Sequence, residues 1–117
     1  MGARTNFTFH TESGDLTLYS HWGGDTKKQD LARALEAASG RLSMGDTSYV
    51  LRIIISNIIR DEWQSETGYG IFVGNEGGEE QYTPVTVDLT NNTVIDETGV
   101  HTIFDYIAYH TVLSEQK

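Results

Sequence analysis

Apolar residues fall into three patterns along this chain. The first is alternation. From Thr5, Phe7 and Phe9 share one face while Asn6, Thr8 and His10 share the other. Glu12-Ser13-Gly14-Asp15 is turn chemistry, after which Leu16 and Leu18 alternate with Thr17, Tyr19 and His21. A period of two on both sides of a turn predicts a β-hairpin with one apolar face and one Thr/Tyr/His face. The same alternation puts Trp22 on the apolar face at the strand's end.

The second pattern is helical. Asp25 or Thr26 can cap a helix, with Gln29 completing a capping box behind Thr26. Leu31, Ala34, Leu35, Ala38 and Leu42 then recur at helical spacing, with Lys27, Lys28, Asp30, Arg33 and Glu36 facing out. Gly40 ends this helix or weakens it. The third pattern is the densest. From Tyr49 to Ile59, the residues Val50, Leu51, Ile53, Ile54, Ile55, Ile58 and Ile59 cover most of a helical wheel. Tyr49, Arg52, Ser56, Arg60 and Trp63 fall on one narrow stripe. A helix apolar nearly all round is a buried helix, so this one should start at Asp46 or Thr47, continue toward Trp63 and have partners on two or three sides. Its β-branched content leaves a buried strand as the alternative. The short Ser43–Asp46 connection makes the two helices antiparallel neighbours.

Further on, Gly68, Gly70 and Gly74 punctuate a strand over Tyr69–Val73, and Gly74 to Glu80 reads as an exposed, flexible, acidic loop. Val85, Val87 and Leu89 alternate with polar residues, and Asn91-Asn92 turns the chain into a strand over Thr93–Asp96. Val100, Ile103, Phe104 and Ile107 fit a last helix capped by Thr102, although strict alternation fits nearly as well. The expected fold is a single α+β domain over residues 5–112, between a loose start at 1–4 and a tail at 113–117. Its antiparallel sheet, formed by the N-terminal hairpin and the C-terminal strands, packs on a helical pair with the Ile-rich helix buried at its centre. The element order is ββααβββα.

Charge and cysteine content narrow the function classes. Seventeen acids against eight bases give a net charge of −9, which opposes binding to a nucleic-acid backbone. Solubility explains such acidity, and complementarity to a basic protein surface is the functional reading. With no cysteine there is neither a disulfide framework nor a thiolate metal site. The Ile-rich run is too short to span a bilayer, and no charged-then-apolar signal segment opens the chain. A cytoplasmic location is expected.

Two clusters are candidates for binding. Tyr19, His21 and Trp22 lead into Gly23-Gly24, a combination suited to stacking a planar ligand beside glycine amides that could hold an anion. Filling the end of the core and turning the chain is the competing, purely structural role. On the Ile-rich helix, Arg52 and Arg60 stand about 12 Å apart along the axis and could grip a phosphate or carboxylate. Pairing with the chain's own acids, or plain exposure, is the alternative. His10, His21, His101 and His110 are not spaced as a metal set, although His10 and His21 could meet across the hairpin with a carboxylate as third ligand. Gly-x-Ser-x-Gly is absent, and Gly68-Tyr69-Gly70-Ile71-Phe72-Val73-Gly74 lacks the Lys-Ser/Thr ending of a phosphate loop. No catalytic residue, metal ligand or cofactor is singled out.

One resemblance rests on an ordered set of short motifs: Leu18-Tyr19-Ser20-His21-Trp22-Gly23-Gly24, Tyr49-x-x-Arg52-Ile53-Ile54, Thr67-Gly68-Tyr69-Gly70 and Val85-x-Val87-Asp88. In this order they resemble uncharacterised small proteins of actinobacterial phages and prophages with a Tyr-x-His-Trp-Gly-Gly motif. The resemblance spans Phe7 to Ile107 and implies a phage accessory protein of the host cytoplasm, with no activity attached.

The leading expectation is a homo-oligomeric binding protein rather than an enzyme. It would engage a host factor or sequester a small anionic or nucleotide-like ligand through Tyr19, His21, Trp22, Gly23, Gly24, Arg52 and Arg60. One alternative is an acidic protein–protein interaction module in which the Asp61–Glu80 region meets a basic host surface. The other is a metal-dependent hydrolase using His10 and His21.

Overall fold

The alternating stretches form the expected hairpin. In the computed structural model, which describes residues 3–115 with side chains over 3–111, β1 (Thr5–Thr11) pairs antiparallel with β2 (Gly14–Ser20). Phe7, Phe9 and Leu18 enter the core, while Asn6, Thr8, Thr17 and Tyr19 lie on the outer face. Two helices follow, α1 (Lys27–Leu42) and α2 (Thr47–Ile59), then β3 (Tyr69–Val73), β4 (Val85–Asp88), β5 (Thr93–Asp96), β6 (Gly99–Thr102) and α3 (Ile103–Glu115). The architecture is the expected α+β arrangement of hairpin, helical pair and C-terminal strands, with one strand more than expected.

That strand comes from the ambiguous stretch. Residues 99–102 extend β5 by an antiparallel partner, and the helix begins only at Ile103. Thr102 caps it, accepting the Asp105 amide at 3.1 Å. Both periods read in the sequence are therefore real, one on each side of Thr102.

The sheet runs β3-β2-β1-β4-β5-β6 and is mixed rather than antiparallel, because β1 and β4 pair in parallel. β3 and β4 point the same way from opposite sides of the hairpin, so a crossover must join them. Residues 74–84 supply it across the outer face, and this segment is not the free loop its composition suggests. The Thr17 hydroxyl donates to the Gly74 carbonyl at 2.8 Å, and the Gln81 and Tyr82 amides donate to the Arg4 carbonyl at 2.9 and 3.0 Å. Gly78 lies against the Tyr19 ring, where a Cβ would stand 2.6 Å from it.

On the inner face, α1 packs between α2 and α3. Its alanines at 32, 34 and 38 let the neighbours approach, and Leu31 and Leu35 are fully buried. The helix enclosed from both sides is thus α1. α2 buries Val50, Ile54, Ile55, Ile58 and Ile59 along one side and presents Tyr49 and Arg52 to solvent. It stops at Ile59, where Arg60 takes φ 60°, and a 3-10 turn over Arg60–Glu62 replaces the expected continuation. At the N-terminus, Ala3 is tied to β2 by its amide on the His21 carbonyl at 2.9 Å. Residues 1–2 and 116–117 of the two expected ends lie outside the described residues, and α3 itself passes residue 112.

Candidate functional site

Tyr19, His21 and Trp22 do come together. The Tyr19 hydroxyl and His21 Nδ1 are hydrogen-bonded at 3.0 Å, and the His21 and Trp22 rings meet edge to face at 4.8 Å. Tyr19 in turn meets Phe72 of β3 edge to face at 6.4 Å. Trp22 does not enter the core. It is 57 % exposed and rests on Gly68, one residue before β3. The strand alternation ends at Ser20, so parity no longer decides where Trp22 points.

Gly23 and Gly24 have structural duties. The Gly23 amide donates to Ser20 Oγ at 2.9 Å and the Gly24 amide to the Ala3 carbonyl at 2.7 Å, so neither is left for an anion. Gly24 also carries the Tyr82 ring where a side chain would be. Arg52 is exposed, and Arg60 is drawn to Asp30 at 3.6 Å. Both arginines belong to the helical layer on the inner face of the sheet, whereas Tyr19 and His21 lie on its outer side. The pairing of His10 with His21 also fails. The register sets His10 opposite Asp15 and Ser20 opposite Thr5, so the two histidines lie at opposite ends of the hairpin, about 20 Å apart. His10 instead binds Asp15 at 2.6 Å, which raises its pKa. Among the described residues no group of three or more His, Asp or Glu side chains could hold a metal ion.

What the aromatic cluster borders is the outer edge of the sheet. The His21 amide donates to the Gly68 carbonyl at 2.8 Å and the Gly74 amide to the Asp15 carbonyl at 2.8 Å. In an antiparallel ladder this makes 68, 70, 72 and 74 the residues bonded to β2. The N–H and C=O groups of Tyr69, Ile71 and Val73 then point away from the sheet. No residue of β3 is charged, and Ile71 and Val73 are 53 % and 94 % exposed. Both lie on the inner side of the sheet, past the end of α2. Aromatic groups flank β3 on its two faces: Trp22, Tyr19 and Phe72 outside, and exposed Trp63 inside, where it shares a small hollow with Tyr69 and Ile71.

A second site left only the Tyr106–His110 spacing as a signal in the sequence. α3, the β5–β6 turn and the start of α1 enclose a groove of about 960 Å³ lined by Lys28, Thr98, His101, Tyr106, Tyr109 and His110. Beside it, the Asp96 carboxylate is 1 % exposed and receives Lys28 at 3.6 Å and His101 at 3.4 Å. Burial opposes its ionisation, but hydrogen bonds from Thr98 and the charge of Lys28 hold its pKa below the usual carboxylate value. Burial pushes the Tyr106 phenol up and the His110 imidazole down, so both are neutral at pH 7. Neither Tyr106 Oη nor His110 Nδ1 has a hydrogen-bond partner among the described residues.

No protein-family model, curated protein or solved structure matches the chain.

Proposed function

We propose that this chain is a protein-interaction module that adds an extended segment of its partner to β3. The observation that carries the reading is the outer edge of β3, with the backbone groups of Tyr69, Ile71 and Val73 directed outward between exposed apolar side chains. Folded proteins usually blunt such an edge with charge, proline or a covering element. Here an uncharged edge is retained, which suits recognition by strand addition. Ile71 and Val73 offer about 1.5–3 kcal/mol each on full burial. Trp22 and Trp63 supply the kind of aromatic anchor that dominates interface energetics.

Charge selects the partner. Asp61, Glu62 and Glu66 precede the strand and Glu76 follows it, whereas Glu79 and Glu80 are engaged by Arg4 and Asn6 over β1 and nearby Arg60 by Asp30. The segment that fits is apolar at alternate positions and flanked by lysine or arginine. The resemblance to small phage proteins makes a host protein the natural source of that segment. A small anion is a poor fit, because the Gly23 and Gly24 amides are occupied and the arginines stand elsewhere.

Calorimetry with two short synthetic peptides tests this reading, both alternating valine and threonine, one flanked by lysines and its twin by glutamates. The lysine-flanked peptide is expected to bind, more weakly at high salt, with at least tenfold loss in Ile71→Pro and Trp63→Ala. Ile71→Pro removes an outward amide and leaves the β2 ladder intact, as circular dichroism should verify. No binding, or equal binding of the twins, overturns the reading.

A further inference from the structure

We propose that Lys27 is a covalent attachment site for a small, uncharged aldehyde or ketone, its amine forming an imine in a hollow beside the start of α1. The site lies where α1 meets the chain entering β4, away from β3, and does not rest on the strand-pairing reading.

Three observations converge on this amine. The first is its enclosure. Lys27 is 5 % exposed, a rare degree of burial for lysine, and it makes no hydrogen bond or ion pair among the described residues. Its Nζ nonetheless reaches the surface. Among the described residues, the unpartnered side-chain atoms sealed from solvent are Arg4 Nε, Tyr106 Oη and His110 Nδ1 alone. The second is the hollow it borders, about 270 Å³ in volume and lined also by Gly24, Asp25, Tyr82, Thr83 and Glu97. That is below the usual range for drug-sized ligands, so it suits a carbonyl compound of a few carbons. The third is position. Lys27 is the first residue of α1, and the Thr26 hydroxyl donates to Asp30 at 2.8 Å instead of capping the helix. A cation there meets the positive end of the helix dipole.

Enclosure and position both disfavour the ammonium form, and a neutral amine is the nucleophile that a carbonyl carbon requires. Burial lowers the Lys27 pKa; Glu97, Glu80 and Asp96 oppose that shift and Lys28 adds to it, but the loss of solvation prevails. Lys28 is the contrast. Burial opposes its charge too, but Glu97 at 2.7 Å and Asp96 at 3.6 Å outweigh burial and raise its pKa. In the reaction, the Nζ lone pair bonds to the carbonyl carbon while the C=O π pair moves to oxygen. A first proton passes from nitrogen to that oxygen. The second follows as the C–O bond breaks and C=N forms, so one water leaves for each imine made. No oxidant or reductant is needed. The carboxylates of Asp25 and Glu97 line the same hollow and repel an anionic substrate, which leaves an uncharged carbonyl compound as the one that fits.

The test treats the full chain at pH 7 with propionaldehyde and cyanoborohydride, which traps each imine as a stable amine. Fragment-ion mass spectrometry then locates the label. Lys27 is expected to be labelled at least about fivefold faster than its neighbour Lys28 in the folded protein, with the two rates converging in guanidinium chloride. Glyoxylate, an anionic aldehyde, should lose this preference for Lys27. Equal labelling of the two lysines in the folded chain, or faster labelling of Lys28, overturns the proposal and makes Lys27 an inert buried amine. A preference that persists in guanidinium chloride comes from the local sequence rather than the hollow, and overturns it equally. An undiminished preference with glyoxylate overturns the assignment of an uncharged substrate.

Discussion

Asn6 and Gly78 hold each other through both ends of the Asn6 carboxamide. Its Oδ1 accepts the Gly78 amide at 3.1 Å and its Nδ2 donates to the Gly78 carbonyl at 2.9 Å, as a neighbouring strand would. Nδ2 also reaches the Glu80 carboxylate at 2.5 Å. This one side chain anchors the crossover from β3 to β4 on the outer face.

Asn6→Ala should therefore cost about 1–3 kcal/mol, because Gly78 loses both partners while it remains partly buried. Urea unfolding measures the loss. Hydrogen exchange should quicken over residues 75–80 in the same variant, and unchanged protection there would show that the crossover is held by something else.

Gly68 is required twice over. Its φ of +104° suits glycine, and a Cβ would lie 2.7 Å from the Trp22 ring. Gly68→Ala is expected to destabilise by about 1–3 kcal/mol and to displace Trp22. Tryptophan fluorescence in a Trp63→Phe background isolates that displacement, and an unaltered spectrum would contradict the contact.

Asp96 ties the β5–β6 turn to α1. Asp96→Ala removes the buried carboxylate that Thr98, Lys28 and His101 face, leaves Lys28 with Glu97, and should cost about 1–3 kcal/mol. The pH dependence has a definite sign. The folded-state pKa of Asp96 is depressed below 3.8, so its stabilising contribution is present above that pH and is lost as pH falls through the folded value. His110 acts higher on the scale. Its folded-state pKa lies below 6.5, so the unfolded chain takes up the proton first and stability drops as pH falls through 6.5. Chemical unfolding between pH 7 and 5 should show this second slope in the native chain and a shallower one in His110→Phe.

Lys27 is buried, and burial lowers its amine pKa below 10.5. The charged form is disfavoured in the fold, so stability rises as pH climbs from the folded value toward 10.5. Lys27→Met should stabilise the chain at neutral pH by about 1 kcal/mol. A lower melting temperature in that variant would mean the ammonium has a partner worth more than its burial costs.

Local periodicity carried most of the fold. Phe7, Phe9 and Leu18 alternate with Asn6, Thr8 and Thr17 because one face of β1–β2 is core and the other meets the crossover. The pairing of β1 with β4 left no such trace, since Val85 and Val87 mark a strand without naming its neighbour. Gly74 to Glu80 reads as free chain, and its anchor, Asn6, lies about seventy residues earlier. Around the candidate site, the Tyr19–His21–Trp22 cluster was visible as an aromatic strand end. Its relation to β3 was not, because Gly68 and Trp22 meet only once the helices have returned the chain. The groove was more remote still. Lys28, His101 and His110 come from α1, β6 and α3, and only the four-residue spacing of Tyr106 and His110 hints that they share a face.

Strand addition to β3 makes a residue-by-residue prediction that amide hydrogen exchange reads directly. With the lysine-flanked peptide bound, the amides of Ile71 and Val73 should become strongly protected. Those of Gly70 and Phe72, already bonded to β2, should change little. Protection that ignores this alternation, or that appears on α2 or α3 with none at Ile71 and Val73, would contradict an interaction built on the open edge of β3.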